Sequence, residues 1–213
     1  MSELTTLQQV DALKKGRIDI GFGRRQFDDP DVKQDVLREE RLVVALSIGH
    51  RSLNTFGSPR LKDLASETLI IYPKQPRPSY ADQILSLFRE RKLEPTHVNE
   101  VSELQSALGL AAAALGICIV PATVQRLRRD DIVNRDLADK AAISPIILTS
   151  RANDTSPGIS ALRQTIFKLY NQVVTKTGVR SSGNREDAMP IRITYGTFKP
   201  GRWVYANSDV AEA

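Results

Sequence analysis

The 213-residue chain has little cysteine, histidine or aromatic content, and each shortage excludes a class of protein. Its one cysteine, Cys118, excludes an internal disulfide framework, and two separate histidines give no metal-ligand spacing. No run reaches the roughly 18 apolar residues that a membrane helix needs, and the amino terminus has no apolar signal-peptide core. These shortages predict a cytoplasmic chain without a disulfide, a bound metal or a membrane anchor.

A large excess of one sign of charge is also lacking. Lys and Arg together number 30 against 25 for Asp and Glu. The densest basic run, RLRRDD at residues 126–131, is balanced at once by acids. This weak basicity does not predict a nucleic-acid interface on this chain.

Short β-branched runs alternate with helical patterns along the chain, which is typical of an α/β fold with a parallel sheet covered by helices. Beyond residue 178 the sequence is polar and linker-like, and residues 191–206 could form a hairpin or be disordered. The predicted helices cover residues 7–15, 79–92, 102–115, 159–173 and a segment from Ala122. The predicted strands are RIDIGFG (17–23), residues 36–46, TLIIYP (68–73), THVNEV (96–101), ICIVP (117–121) and ISPIILTS (143–150).

Three predicted helices begin with the spacing of a capping box, in which two side chains three positions apart satisfy backbone N–H groups. In a parallel α/β sheet the helix starts follow the carboxyl ends of the strands, so we expect these N–H groups and helix dipoles to face one crevice. The pattern predicts a receptor for an anion, although each box alone is also an ordinary helix start. The pairs are Thr6 with Gln9, Ser79 with Asp82, and Ser102 with Gln105.

The stretch GRIDIGFGRR, residues 16–25, places two arginines at the end of a predicted strand. Its glycines do not match the G-x-G-x-x-G spacing of dinucleotide-binding loops, and no Walker lysine follows. Arg38 and Glu40 are two positions apart on the next predicted strand and therefore share one face of the sheet. The arginines Arg24 and Arg38 are suited to bidentate binding of a carboxylate. The alternative is an internal ion pair of Glu40 with either arginine.

Signatures of catalysis are missing. No G-x-S-x-G motif, Cys/His arrangement or carboxylate pair with a proton-transfer partner can be placed. Cys118 lies within ICIVP, which predicts a buried small apolar residue, and DDPD at residues 28–31 predicts a solvated turn. The sequence favours a binding module over an enzyme and indicates no cofactor.

Five long phrases of the sequence carry a resemblance to a known family. They are LTTLQQVDALKKGRIDIGFGRR (4–25), VLREERLVVAL (36–46), IIYPKQPRPSYADQILSLF (70–88), NEVSELQSALGLAAAALGICIVPATVQ (99–125) and ISPIIL (143–148). Together they resemble the effector-binding domain of LysR-type transcriptional regulators over about residues 3–173. The branch that they resemble most controls catechol and benzoate degradation and responds to cis,cis-muconate.

The resemblance implies two Rossmann-like α/β subdomains with a cleft between them, like a type 2 periplasmic binding protein. Subdomain I would take residues 1–46 and 144–177, subdomain II residues 47–143, and a tail outside the family pattern residues 178–213. Relative to the family, the chain starts after the winged helix-turn-helix, the linker helix, and the first strand and helix of subdomain I. We therefore expect a regulator fragment, a mis-started gene or a shortened version with an incomplete subdomain I.

The resemblance also implies two sets of effector-binding residues. The first set, for the primary effector, is Thr6, Pro78, Ser79, Tyr80, Leu104 and Ile146. The second set surrounds a more buried pocket that holds an aromatic carboxylate in benzoate-responsive members, and it is Arg24, Arg38, Glu40 and Tyr170.

The leading hypothesis is a ligand-sensing domain of a LysR-type regulator of aromatic catabolism, with muconate, chloromuconate or benzoate as the effector. Its implied partners are the small carboxylate, further copies in a homodimer or homotetramer of the parent, and DNA through a winged helix-turn-helix absent from this sequence. The alternatives are a solute-binding protein of the same fold, an enzyme on this scaffold, and a non-functional fragment.

Overall fold

Strands and helices alternate along much of the chain, and the computed structural model describes residues 2–54, 57–176 and 203–205. The strands are β1 (Ser2–Glu3), β2 (Ile20–Gly23), β3 (Val32–Ser47), β4 (Thr68–Ile71), β5 (His97–Glu100), β6 (Ile117–Pro121), β7 (Ile132–Asp136), β8 (Ile143–Arg151) and β9 (Trp203–Tyr205). The helices are α1 (Thr6–Lys14), α2 (Leu61–Leu64), α3 (Tyr80–Arg89), α4 (Leu104–Ala112) and α5 (Pro157–Lys176), with 3-10 helices at Arg51–Asn54 and Ala122–Leu127.

Within the described residues the strands form one sheet in the order β1-β9-β2-β8-β3-β6-β4-β5, and β7 pairs with β3 beside this path. Strands β4, β5 and β6 are parallel, as predicted, because helices α3 and α4 provide the crossovers that parallel neighbours need. The prediction of a parallel sheet is wrong for β3, which is antiparallel to β6, β7 and β8. The sheet is therefore mixed.

Strand β3 passes from one group of strands to another. Its residues 32–41 pair with β8, and its residues 42–47 pair with β6 and β7. The first part, VKQDVLREER, is mostly polar and only Val32, Leu37 and Glu40 in it are buried, whereas every residue of the second part, LVVALS, is buried. This change is expected where a strand passes from a half-exposed sheet into one that is covered on both faces.

Buried apolar residues form one large cluster and two small clusters. The large cluster packs the second part of β3 with β4, β6, α3 and α4. The first small cluster is Ala12, Leu13, Ile18 and Val32. The second small cluster, which includes residues of β2, β8 and α5, is Ile20, Leu37, Leu148 and Ile166.

Two predicted helices are shorter in the structure. Helix α4 ends before Gly116, since Ala114 already has a left-handed backbone with φ of 58°. Gly116 instead allows the chain to approach β4, because a Cβ at this position would collide with the carbonyl oxygen of Thr68. The helix predicted from Ala122 is a 3-10 helix that ends before Arg128, where φ is 41°.

Strand β9 is the described part of residues 177–213. It lies between β1 and β2, is parallel to both, and falls in the second of the two predicted strand-like runs. The remainder of those runs lies outside the described residues, and the predicted division into subdomains and tail stays a prediction. Among the helices of the described part, none is long and apolar enough to cross a membrane.

Candidate functional site

A cleft opens where the starts of α1 and α3 meet the loop that follows β2. Two of the side chains that line it are arginines and none is a carboxylate, so the cleft favours a negatively charged ligand. The described residues that line it are Leu4, Thr5, Thr6, Arg24, Arg25, Pro73, Pro76, Pro78, Ser79, Tyr80 and Gln83.

Helix α1 has a capping box, but one residue earlier than predicted. The Thr5 hydroxyl accepts a hydrogen bond from the Gln8 N–H at 3.4 Å, and the Thr5 N–H donates to the Gln8 side chain at 3.0 Å. The predicted pair of Thr6 with Gln9 is wrong because Gln9 is buried and its amide donates to the Phe22 carbonyl oxygen at 3.0 Å. Thr6 remains in the first turn, where N–H groups have no acceptor within the helix.

Helix α3 begins at the predicted pair of Ser79 and Asp82. The Ser79 N–H donates to the Asp82 carboxylate at 2.6 Å, and the Ser79 hydroxyl donates to the Pro73 carbonyl oxygen at 3.2 Å. Burial raises the pKa of Asp82, but the Ser79 N–H and the Arg77 guanidinium outweigh this effect and hold that pKa below its usual value. A carboxylate of the protein therefore already faces the positive end of α3.

Arg77 stabilises the proline-rich wall of the cleft, which is formed by Pro73, Pro76 and Pro78. Its guanidinium contacts the carboxylates of Asp82 at 2.8 Å and Glu100 at 2.7 Å, and its Nε donates to the Lys74 carbonyl oxygen at 3.1 Å. These contacts connect the wall to α3 and to β5. The prolines that line the cleft are thereby held in place.

The third predicted capping box, Ser102 with Gln105, is not formed. Helix α4 begins at Leu104, and its N-cap, Glu103, makes no side-chain capping hydrogen bond. Leu104 is buried in the large cluster and does not line the cleft. The start of α4 is held by burial of Leu104 and Ala107 in the core and not by a side-chain cap.

The cleft brings together four of the six candidate residues for the primary effector, Thr6, Pro78, Ser79 and Tyr80. Leu104 is in the core, and Ile146 packs against the second small cluster. Tyr80 lines the cleft but is only 5% exposed, and its hydroxyl donates to the Ile119 carbonyl oxygen at 3.3 Å.

The four residues of the predicted second site lie near one another. Arg24 and Glu40 form an ion pair at 2.8 Å, Glu40 is 5% exposed, and its other oxygen accepts the Thr123 N–H at 2.6 Å. Burial raises the pKa of Tyr170, and the charges of Arg38 and Arg24 oppose this rise, so both guanidinium groups act on the phenol. Within the described part of the chain, the buried Nε of Arg38 has no hydrogen-bond partner.

Six residues of the cleft were not predicted as site residues from the sequence. Gln83 connects α3 to β8, because its amide donates to the Ile143 carbonyl oxygen at 3.2 Å and its oxygen accepts the Ser144 hydroxyl at 3.4 Å. The spacing of the prolines before α3 was an available signal for an irregular wall, whereas nothing in the sequence distinguishes Gln83. The six are Leu4, Thr5, Arg25, Pro73, Pro76 and Gln83.

Cys118, which the sequence did not favour as a catalytic residue, lies in the core. Cys118 is fully buried in the large cluster, which confirms the prediction of a small apolar role. Among the residues that the structure describes, no three His, Cys, Asp or Glu side chains are grouped so that they could hold a metal ion. The lining of the cleft, with two arginines and no carboxylate among the described residues, suits an anion.

Comparison with known proteins gives consistent matches. Residues 1–169 match the family model of the LysR substrate binding domain. The HTH-type transcriptional regulator CatR of Pseudomonas putida is 49% identical over 159 residues, which are 74% of this chain and 54% of CatR. The probable cat1 operon transcriptional activator of Acinetobacter lwoffii is 44% identical over 170 residues, which are 80% of this chain and 56% of that protein. The chain spans about half the length of these curated relatives.

A solved structure agrees with these matches. The effector-binding domain of BenM with its effector benzoate has a TM-score of 0.76 and 37% sequence identity to this chain, and the match covers 88% of this chain and 83% of that one. The predicted fold class, α/β of the type 2 periplasmic-binding-protein kind, is confirmed by this likeness.

Proposed function

The chain belongs to the family of LysR substrate-binding domains, and we propose that it is the ligand-sensing domain of a regulator of aromatic catabolism. Its effector is cis,cis-muconate or a related small dicarboxylate, bound in the cleft. The observation that carries this proposal is a cleft with two arginines, no carboxylate in its lining and two helix starts at its edge.

The two helix starts are unequal as anion sites. Asp82 already occupies the start of α3, whereas no acidic residue lies in the first turn of α1. One carboxylate of the effector therefore binds at the first turn of α1, near Thr6. The prolines and the Tyr80 ring then pack against the carbon chain between the two carboxylates.

Ligand binding is coupled to the position of α1 relative to the proline-rich wall of the cleft. An effector that contacts α1 and the proline-rich wall together favours the arrangement in which both contacts form. In the parent protein this shift is transmitted through a homodimer or homotetramer to a winged helix-turn-helix outside this chain. The regulator acts in the cytoplasm, where its DNA lies, and it does not turn its effector over.

Calorimetric titration of the full 213-residue chain tests the proposal. We expect cis,cis-muconate to give binding heat and to raise the melting temperature, because a ligand that binds only the folded state stabilises it. The dimethyl ester of muconate keeps the carbon skeleton without the charges, and we expect no binding from it. Absence of heat and of thermal stabilisation with the diacid, on a chain shown to be folded by circular dichroism, would falsify the proposal.

A second binding site for an aromatic monocarboxylate such as benzoate is proposed around Arg38 and Tyr170. It is supported by the buried Arg38 Nε without a partner in the described chain, and by BenM, whose effector-binding domain was solved with benzoate. Arg38→Met is expected to abolish benzoate binding and to change muconate affinity by less than about twofold. An equal loss for both ligands would show that the two sites are not separate.

A further inference from the structure

Arg24 and Arg25 are neighbours in the sequence and both line the cleft, but their side chains have different surroundings. The Arg24 guanidinium is bound to the buried carboxylate of Glu40 at 2.8 Å. The Arg25 side chain makes no hydrogen bond and no ion pair within the described residues. The charge of Arg25 therefore acts on the rest of the described fold only at longer range, through its attraction to Asp82.

The backbone that carries Arg25 is nevertheless held in position. The side-chain amide of Gln34 donates to the Arg25 carbonyl oxygen at 3.4 Å, and its oxygen accepts the Phe27 N–H at 3.1 Å. Gln34 belongs to β3, so the loop after β2 is attached to the sheet on both sides of Gln26. The guanidinium is thus presented to the cleft from an ordered backbone.

The carboxylate of Asp82 lies within electrostatic reach of Arg25, since the charge of Arg25 helps to lower the pKa of Asp82. This carboxylate is already bound by the Ser79 N–H at 2.6 Å and by Arg77 at 2.8 Å. Asp82 is not among the described residues that line the cleft, and none of those residues is a carboxylate. A carboxylate that contacts Arg25 directly would therefore be supplied by a ligand.

We propose that Arg25 is a specificity-determining residue of the cleft, whose guanidinium binds the second carboxylate of a diacid while the start of α1 binds the first. This inference rests on the proposed function and deepens it. A planar guanidinium can hold a carboxylate through two parallel hydrogen bonds, which a lysine cannot do. Because a monoacid uses only one of the two anchors, Arg25 sets the preference of the cleft for diacids.

The test is calorimetry on the full chain with cis,cis-muconate and with its monomethyl ester. Arg25→Gln is compared with wild type, with Arg25→Lys and with Arg89→Gln, which removes the same charge from an exposed position in the last turn of α3. We expect Arg25→Gln to weaken diacid binding by about tenfold or more and to change monoester binding much less. Arg25→Lys should be intermediate, and Arg89→Gln should change either affinity by less than about twofold.

The outcomes separate this inference from the proposed function. Wild-type protein that binds the diacid, together with Arg25→Gln protein that binds it within about twofold of wild type, overturns the role of Arg25 alone. Equal losses for the diacid and the monoester also overturn it, because Arg25 would then not distinguish the second carboxylate. Wild-type protein that binds neither ligand overturns both. Melting curves of the two Arg25 variants check that they are folded. The affinities are compared for the variant whose melting temperature equals that of wild type.

Discussion

The two ends of the sheet are stabilised in different ways. Around β4 and β6, the large cluster buries strands and helices α3 and α4 together. Around β2 and β8, the two small clusters bury fewer apolar side chains. We call the part around β4 and β6 the β4 side and the part around β2 and β8 the β2 side. Because hydrophobic stabilisation follows the apolar area removed from water, burial of apolar side chains stabilises the β4 side more than the β2 side.

The β2 side adds partly buried polar contacts to its smaller apolar clusters. Arg151 donates to the Ile18 carbonyl oxygen at 2.7 Å and contacts Asp19 at 2.9 Å and Asp154 at 2.6 Å. Such contacts contribute little net stability when they are complete and cost much when one partner is lost. The cleft therefore lies between a strongly packed part and a part that depends on paired polar groups.

Matched leucine truncations test the difference in packing. Leu69 of β4 is 0% exposed in the large cluster, and Leu148 of β8 is 1% exposed in a small one. We expect Leu69→Ala to lower the free energy of unfolding by about 4 kcal/mol and Leu148→Ala by about 2 to 3 kcal/mol, because a small cluster can relax around the cavity. Urea denaturation measures both values. A larger loss for Leu148→Ala would reverse the comparison.

Removal of the Glu40 charge tests the dependence on polar pairs. Glu40→Gln removes the charge of a carboxylate that is 5% exposed, contacts Arg24 at 2.8 Å and accepts the Thr123 N–H at 2.6 Å, and we expect a loss of about 3 kcal/mol in the free energy of unfolding. Glu39→Gln is the matched control at an exposed neighbouring position, with an expected change within about 0.5 kcal/mol. Equal effects of the two substitutions would show that the ion pair is not important for the β2 side.

The β4 side is also the part that sequence reasoning predicts best. Its strands β4 and β6 are short apolar runs, and the helical period of Tyr80, Ile84 and Phe88 gives the buried face of α3 directly. Local pattern and tertiary packing agree there. The boundaries of the helices do not follow from local pattern alone, since the chain after α4 is set by the approach of Gly116 to Thr68, which is distant in sequence.

The β2 side and the cleft were predicted less completely because their contacts join distant segments. The antiparallel course of β3 follows from pairing with β8, more than a hundred residues later, and no local pattern reports this pairing. Leu104 was named as an effector-binding residue because of the family resemblance, but its side chain is buried among the apolar residues around α4. The difference between Arg24 and Arg25 depends on where Glu40 lies, so it appears only in three dimensions.

Gly21→Ala tests how tightly the buried polar contacts on the β2 side are packed. A Cβ at Gly21 would collide with the side-chain amide of Gln9, which is 1% exposed and bonds to the Phe22 carbonyl oxygen. We expect a loss of about 2 kcal/mol in the free energy of unfolding. In the double variant with Gln9→Ala the collision is removed, so the two losses should not add. Strict additivity would show that Gln9 already moves freely in the folded protein.

Asp82→Asn gives the smallest expected effect and tests a polar contact on the well-packed β4 side. The Asp82 side chain is 40% exposed, so solvent screens its charge, and we expect a loss of about 1 kcal/mol near neutral pH from the weaker helix cap. Because its pKa in the folded state lies below the usual 3.8, the stabilisation is complete above that value and is lost as the pH falls through the folded pKa. Urea denaturation of both proteins at neutral pH and in acid should therefore show a difference that shrinks in acid. If the difference in free energy of unfolding between the two proteins stays constant in acid, the charge of Asp82 does not cause it. If that difference is as large as the loss expected for Glu40→Gln, the two ends of the sheet do not differ in their dependence on polar contacts.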